Sequence, residues 1–173
     1  MAACHAFSTD DEFRAFCRDV IGEVVPLPVD LAEVVARSAT SFAESFDAQL
    51  AAGECLSWAR VGLSGLPSPV PYLRKATELC PDSCEAWESL GFALDNVEND
   101  AAGAEAAFRR AISLGGGEWS FAGLARVLAE AGRRDEALGL LSDGECPFYA
   151  HEEVLRMRAE ITAGDWDPFE DHD

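Results

Sequence analysis

Trp87-Glu88-Ser89-Leu90-Gly91-Phe92-Ala93-Leu94 and Phe121-Ala122-Gly123-Leu124-Ala125-Arg126-Val127-Leu128 decide how this chain folds, because they stand in register. Trp87, Leu90, Gly91 and Leu94 return 34 residues later as Phe121, Leu124, Ala125 and Leu128. Each set puts large apolar side chains and one small residue on a single helical face. The segments that follow also correspond, with Ala104, Phe108 and Ala111 after the first stretch and Ala137 and Leu141 after the second. The first unit carries one extra residue in its internal turn, around Asn96 to Asp100, and its linker is one residue shorter. Such a period is the signature of stacked helical hairpins. Gly91, Ala104, Ala125 and Ala137 let paired helices approach closely. Trp87, Leu90, Phe108, Phe121, Leu124 and Leu141 fill the space between, each worth roughly 1.5–3 kcal/mol when buried.

Outward from this core the pattern stays helical. Leu73, Ala76 and Pro81 mark the end of a preceding unit, and residues 70–80 read as helix after the break Leu66-Pro67-Ser68-Pro69-Val70-Pro71. Ser8 or Thr9 caps a helix with the stripe Phe13, Phe16, Cys17, Val20, Ile21 and Val24, stopped by Pro26 and Pro28. Asp30 reads as the cap of a second helix through Leu31, Val34, Val35, Phe42, Phe46 and Leu50 that stops at Gly53. A shorter helix over 54–61 carries Leu56 and Trp58; Gly62, Ser64 and Gly65 end it. Residues 30–62 fit either a divergent repeat, with Phe42, Phe46 and Gly53 in the corresponding places, or a helical cap. Val154, Leu155, Arg158 and Ile161 place a terminal capping helix over 149–163, and residues 165–173 hold five acids in a tail. No strand pattern is found.

The pattern of Trp87-x-x-Leu90-Gly91-x-x-Leu94, followed by Ala104-x3-Phe108-x-x-Ala111, resembles the tetratricopeptide repeat (TPR), with Leu94 where that family has tyrosine. Gly132-Arg133-Arg134-Asp135-Glu136-Ala137-Leu138 is similar to the family's turn between helices. The resemblance implies an all-α, α-helical hairpin solenoid with two clear repeats and a partial one. The expected organisation is an N-terminal helical segment over 1–65, repeats and capping helix over 66–163, and an acidic tail over 164–173. It also implies a concave groove lined by the first helix of each repeat. Carried across, the groove positions are Glu85, Glu88, Phe92, Asp95 and Asn96, then Trp119, Ala122, Arg126, Ala129 and Glu130. Local roles, Trp119 closing the linker and Phe92 packing on its neighbours, are the other reading of the two aromatics.

Charge restricts the partners. There are 32 acidic against 13 basic residues, a formal charge of −19, and Lys75 is the only lysine. Such a chain is repelled by nucleic-acid and anionic membrane surfaces, and its acidity fits either solubility or a salt-adapted host, or a basic protein or peptide partner. At 49% hydrophobic and 26% charged residues the balance is globular. Residues 1–10 show no secretory signal and no apolar run reaches membrane length, so the expected address is cytoplasmic. Cys80 and Cys84 lie too far apart for C-x2-C, and Cys4-His5 and Cys146 with His151 supply no second ligand pair, so no metal is expected. Gly115-Gly116-Gly117 lacks the strand and lysine of a phosphate loop. His5, His151 and His172 lie in terminal or loop contexts, and no catalytic constellation or cofactor site emerges.

What remains is binding. An acidic trough with two aromatic anchors suits an extended or helical peptide, apolar with lysine or arginine nearby. The expected role is a protein-interaction module, an adaptor or chaperone; size, acidity and repeat number are also similar to type III secretion chaperones. The acidic faces disfavour the lysine-dependent clamp by which some relatives hold heat-shock protein C-termini. The alternatives are an immunity-type inhibitor neutralising a basic partner by charge, and a homo-oligomer formed through the N-terminal helices.

Overall fold

The computed structural model describes residues 7–23, 28–58 and 65–164. Among them are α1 (Asp10–Glu23), α2 (Val29–Ser41), α3 (Phe46–Trp58), α4 (Val70–Leu79), α5 (Cys84–Ala93), α6 (Ala101–Ser113), α7 (Glu118–Glu130), α8 (Arg134–Leu140) and α9 (Glu152–Ala163). No strand occurs among these residues. Consecutive helices pair as hairpins α3–α4, α5–α6 and α7–α8, and α9 closes the stack against α7 and α8. The alternate helices α3, α5, α7 and α9 each touch the next, forming one layer, and α4, α6 and α8 lie behind it.

The residues behind the 34-residue period meet as the sequence requires. Phe108 of α6 is fully buried between two glycines on neighbouring helices. A Cβ on Gly91 would stand 2.8 Å from its ring, and one on Gly123 would stand 2.6 Å away. Helix starts and stops are equally local. Ser83 accepts a bond from the Ala86 amide at 3.2 Å, and Asp100 accepts one from Gly103 at 2.9 Å. α7 ends where Gly132 turns left-handed (φ 76°), with Arg133 N–H bonded to Leu128 O at 2.8 Å and Gly132 N–H to Ala129 O at 2.9 Å.

The expected helix boundaries between Asp30 and Trp58 need correction, since residues 54–58 continue α3 and do not open a helix of their own. The helix expected from Asp30 to Gly53 is broken at Phe42–Ser45. Phe42, Phe46 and Leu50 keep a four-residue spacing through the break, so periodicity alone ran across it. Gln49, almost fully buried, donates to Ala39 O at 2.8 Å and Phe42 O at 3.1 Å, ending α2; Ser45 Oγ accepts from Ala48 N at 3.3 Å and starts α3. Gly53, expected as a helix stop, is instead buried within α3, where an added Cβ would run into Leu73 Cγ. It plays for α3 and α4 the part that Gly91 plays for α5 and α6. Asp30 also lies inside the first turn of α2, whose cap is Pro28.

A second apolar cluster joins α1, α2 and the back of α3 through Phe13, Cys17, Val35, Ala52, Cys55 and Leu56. Leu50, on the other side of α3, belongs to the main cluster that runs to Ile161. The expectations for Cys4, His5, Val24, Pro26, Val61, Gly62, Ser64, His172 and the segment 165–173 lie outside the described residues. No helix among those described is long and apolar enough to cross a membrane.

Candidate functional site

Every residue carried over from the repeat pattern lies on α5, on α7 or in the turn after α5. Glu85, in the first turn of α5, is exposed. Glu88, one turn on, is half-buried and accepts a hydrogen bond from Ser120 Oγ of α7. Burial pushes the Glu88 carboxyl above its ordinary value; the Ser120 bond opposes this, and the nearby charges of Glu118 and Glu85 add to it. Phe92 sets its ring edge-on to Phe108, 4.9 Å between centroids at 78°, so its inner edge belongs to the core.

Beyond Ala93 the chain leaves α-helical geometry for a π-helical turn, Leu94–Glu98, closed by Asn99 in the left-handed region (φ 53°). This is where the sequence carries its extra residue. The turn presents Asp95 and Asn96 to α7. Arg126 donates to the Asp95 carboxylate and, at 2.9 Å, to the Asn96 side-chain oxygen. Its guanidinium carbon lies 6.0 Å from the centre of the Phe92 ring. Asp95 is 8% exposed and Arg126 23%, so the pair is largely withdrawn from water. Glu130 is exposed one turn further along α7; burial first and Asp95 second raise its pKa, with Arg126 opposing.

Trp119 is 50% exposed and lines a shallow cleft of about 290 Å³ with Glu118, His151, Glu152, Glu153 and Arg156. Ala122 is buried beneath this surface and Ala129 half-buried.

Sequence reasoning missed the contribution of α3. Glu54 follows Gly53 as Phe92 follows Gly91, and it accepts from Ser89 Oγ of α5 at 3.0 Å. Burial raises its pKa, the Ser89 bond opposes and the Glu85 charge adds. Trp58, 68% exposed, stands in register with Asn96 and Glu130. The signal is Gly53, but it precedes Gly91 by 38 residues rather than 34, a spacing at which a glycine reads as a helix stop. Among the described residues no arginine or lysine pairs with Glu54, Glu85 or Glu88. No group of three His, Cys, Asp or Glu residues among them could hold a metal ion.

No protein-family model and no curated protein sequence matches this chain. Among solved structures, a thermophilic TPR protein of Thermus thermophilus superposes with a TM-score of 0.65, covering 90% of this chain and 81% of that one. At 15% identity the likeness is one of fold, and the fold is TPR-like, an all-helical hairpin solenoid.

Proposed function

We propose that this chain is a protein-interaction module that grips a basic, partly apolar segment of a partner along the shared face of α3, α5, α7 and α9. A TPR-like fold suggests protein partners in general. The observation that carries the finer reading is the carboxylate row of Glu54, Glu85, Glu88 and Glu118, spread over three helices and ending at the exposed Trp119. Glu54, Glu85 and Glu88, which pair with no lysine or arginine among the described residues, favour an incoming lysine or arginine and speed its encounter, while indole supplies contact area at small entropic cost. The groove comprises Glu85, Glu88, Phe92, Asp95, Asn96, Trp119, Arg126 and Glu130, with Glu54 and Trp58 added by α3. An adaptor or chaperone acting in the cytoplasm is the role this implies.

A tagged chain and its Glu85→Gln, Glu88→Gln double variant, each exposed to host lysate and washed at low and high salt, test the reading. A protein retained by the parent through high salt and lost by the variant supports it. Equal capture by both sinks it. The inhibitor reading is favoured by the charge of −19 and predicts basic proteins that all leave at high salt.

A further inference from the structure

We propose that Phe92, Asp95 and Asn96 form a recognition site for an arginine side chain of the bound segment, and that Arg126 occupies this site in the free chain. The inference rests on the reading of this face as a peptide groove.

The groups that converge there are those a guanidinium needs: an aromatic face, a carboxylate and an amide oxygen. Their convergence is built by the extra residue of the first repeat. That residue forces the π-helical turn Leu94–Glu98, and the turn brings Asp95 and Asn96 together beside Phe92. Single π turns are frequent at functional sites.

The seated Arg126 fits the cluster incompletely, because its buried Nε–H finds no acceptor among the described residues. Glu130 lies four residues on along α7, placed to pair with Arg126 when it swings out. Displacement leaves Asp95 and Asn96 facing an incoming guanidinium. A lysine ammonium, with one compact charge, makes poorer use of a flat ring and two acceptors.

The test uses two fluorescein-labelled peptides of alternating leucine and basic residues, identical except that one carries arginine and the other lysine. Anisotropy titration of the full chain and of Arg126→Ala is expected to give the variant about tenfold tighter binding of the arginine peptide, as one well-formed charge-assisted contact allows. The lysine peptide gains less, reflecting only the lost positive charge. Adding Asp95→Asn to Arg126→Ala removes the arginine-specific gain.

Equal gains for the two peptides, or none, overturn the inference. Should Arg126→Ala lose helicity, Arg126→Gln takes its place, with methylguanidinium and methylammonium compared as thermal stabilisers of that variant. A stabilisation specific to methylguanidinium supports the site, and equal effects overturn it. Glu88→Gln separates the two readings: an arginine-peptide affinity unchanged by Glu88→Gln removes the groove reading, whereas one lowered by Glu88→Gln and untouched by Arg126→Ala removes only the present inference.

Discussion

Phe108 concentrates the stability argument at single residues. Its ring separates α5 from α7, and each meets it with a glycine. Gly91→Ala and Gly123→Ala should each destabilise the chain by about 1–3 kcal/mol, the usual cost of an extra methyl in a packed core, although alanine is the better helix former. Urea titration followed by circular dichroism would read this, and an unchanged midpoint for both would show that the ring can move aside. Glu88 should behave in the opposite sense. Its folded pKa is raised above the ordinary 4.5, so the folded chain holds that proton more tightly than the unfolded one. The resulting stabilisation is fully present below the unfolded pKa and is lost as pH rises through the folded value. Glu88→Gln should therefore raise the melting temperature at neutral pH and have little effect near pH 4, the same substitution that weakens basic-peptide capture. A melting temperature lowered at pH 7 would mean that the charged form is needed for its bond to Ser120.

At the scale of elements, α1 docks on α3 through two thiols. Cys17 and Cys55 are both buried and lie against each other, with the proton held on Cys17 by their hydrogen bond and by burial. Cys80 and Cys84, at the junction of α4 and α5, are half-buried. Maleimide labelling of the native chain should thus modify Cys80 and Cys84 before Cys17 and Cys55, which react only at the rate at which α1 opens. Peptide mapping over a time course measures this, and simultaneous labelling of all four would show that α1 is not stably docked. The same element accounts for what the sequence did and did not disclose. α5 to α8 were legible because their small and large residues repeat at one period. α3 was not, since its glycine packs mid-helix in a role that sequence spacing assigns equally to a stop, and a four-residue stripe crossed from α2 without interruption. The placement of the proposed groove residues on α5 and α7 followed from register. That Arg126 donates to both Asp95 and Asn96 did not, because a π-helical turn changes the direction of side chains that spacing alone places on an ordinary helix.

Over the whole molecule the charge of −19 sets two responses to salt that run in opposite directions. Acidic groups crowd the layer of α3, α5 and α7: burial is the first cause of the raised pKa values of Glu54, Glu88 and Glu130, and repulsion from Glu85, Glu118 and Asp95 adds to it. The attractive pairs that salt would weaken sit mainly on the far layer, where Arg133 of the α7–α8 turn bonds Glu105 of α6 at 2.6 Å and Glu136 of α8 at 2.8 Å, holding both carboxyls below their ordinary values. Those pairs are exposed, and exposed pairs contribute little each, on the order of 0–1 kcal/mol. Screening should therefore relieve more repulsion than it costs in attraction, and the melting temperature should rise as ionic strength increases from about 0.01 to 0.5 M, over which the Debye length falls from about 30 Å to a few ångströms. Capture of a basic peptide should weaken over the same range, since the field that stresses the fold is the field that attracts the ligand. Differential scanning fluorimetry and peptide anisotropy on one salt series measure the two together. A melting temperature that falls with salt would place the balance of charge in the Glu105–Arg133–Glu136 network instead, and a peptide affinity indifferent to salt would shift the weight of binding from the carboxylates to Trp58, Phe92 and Trp119.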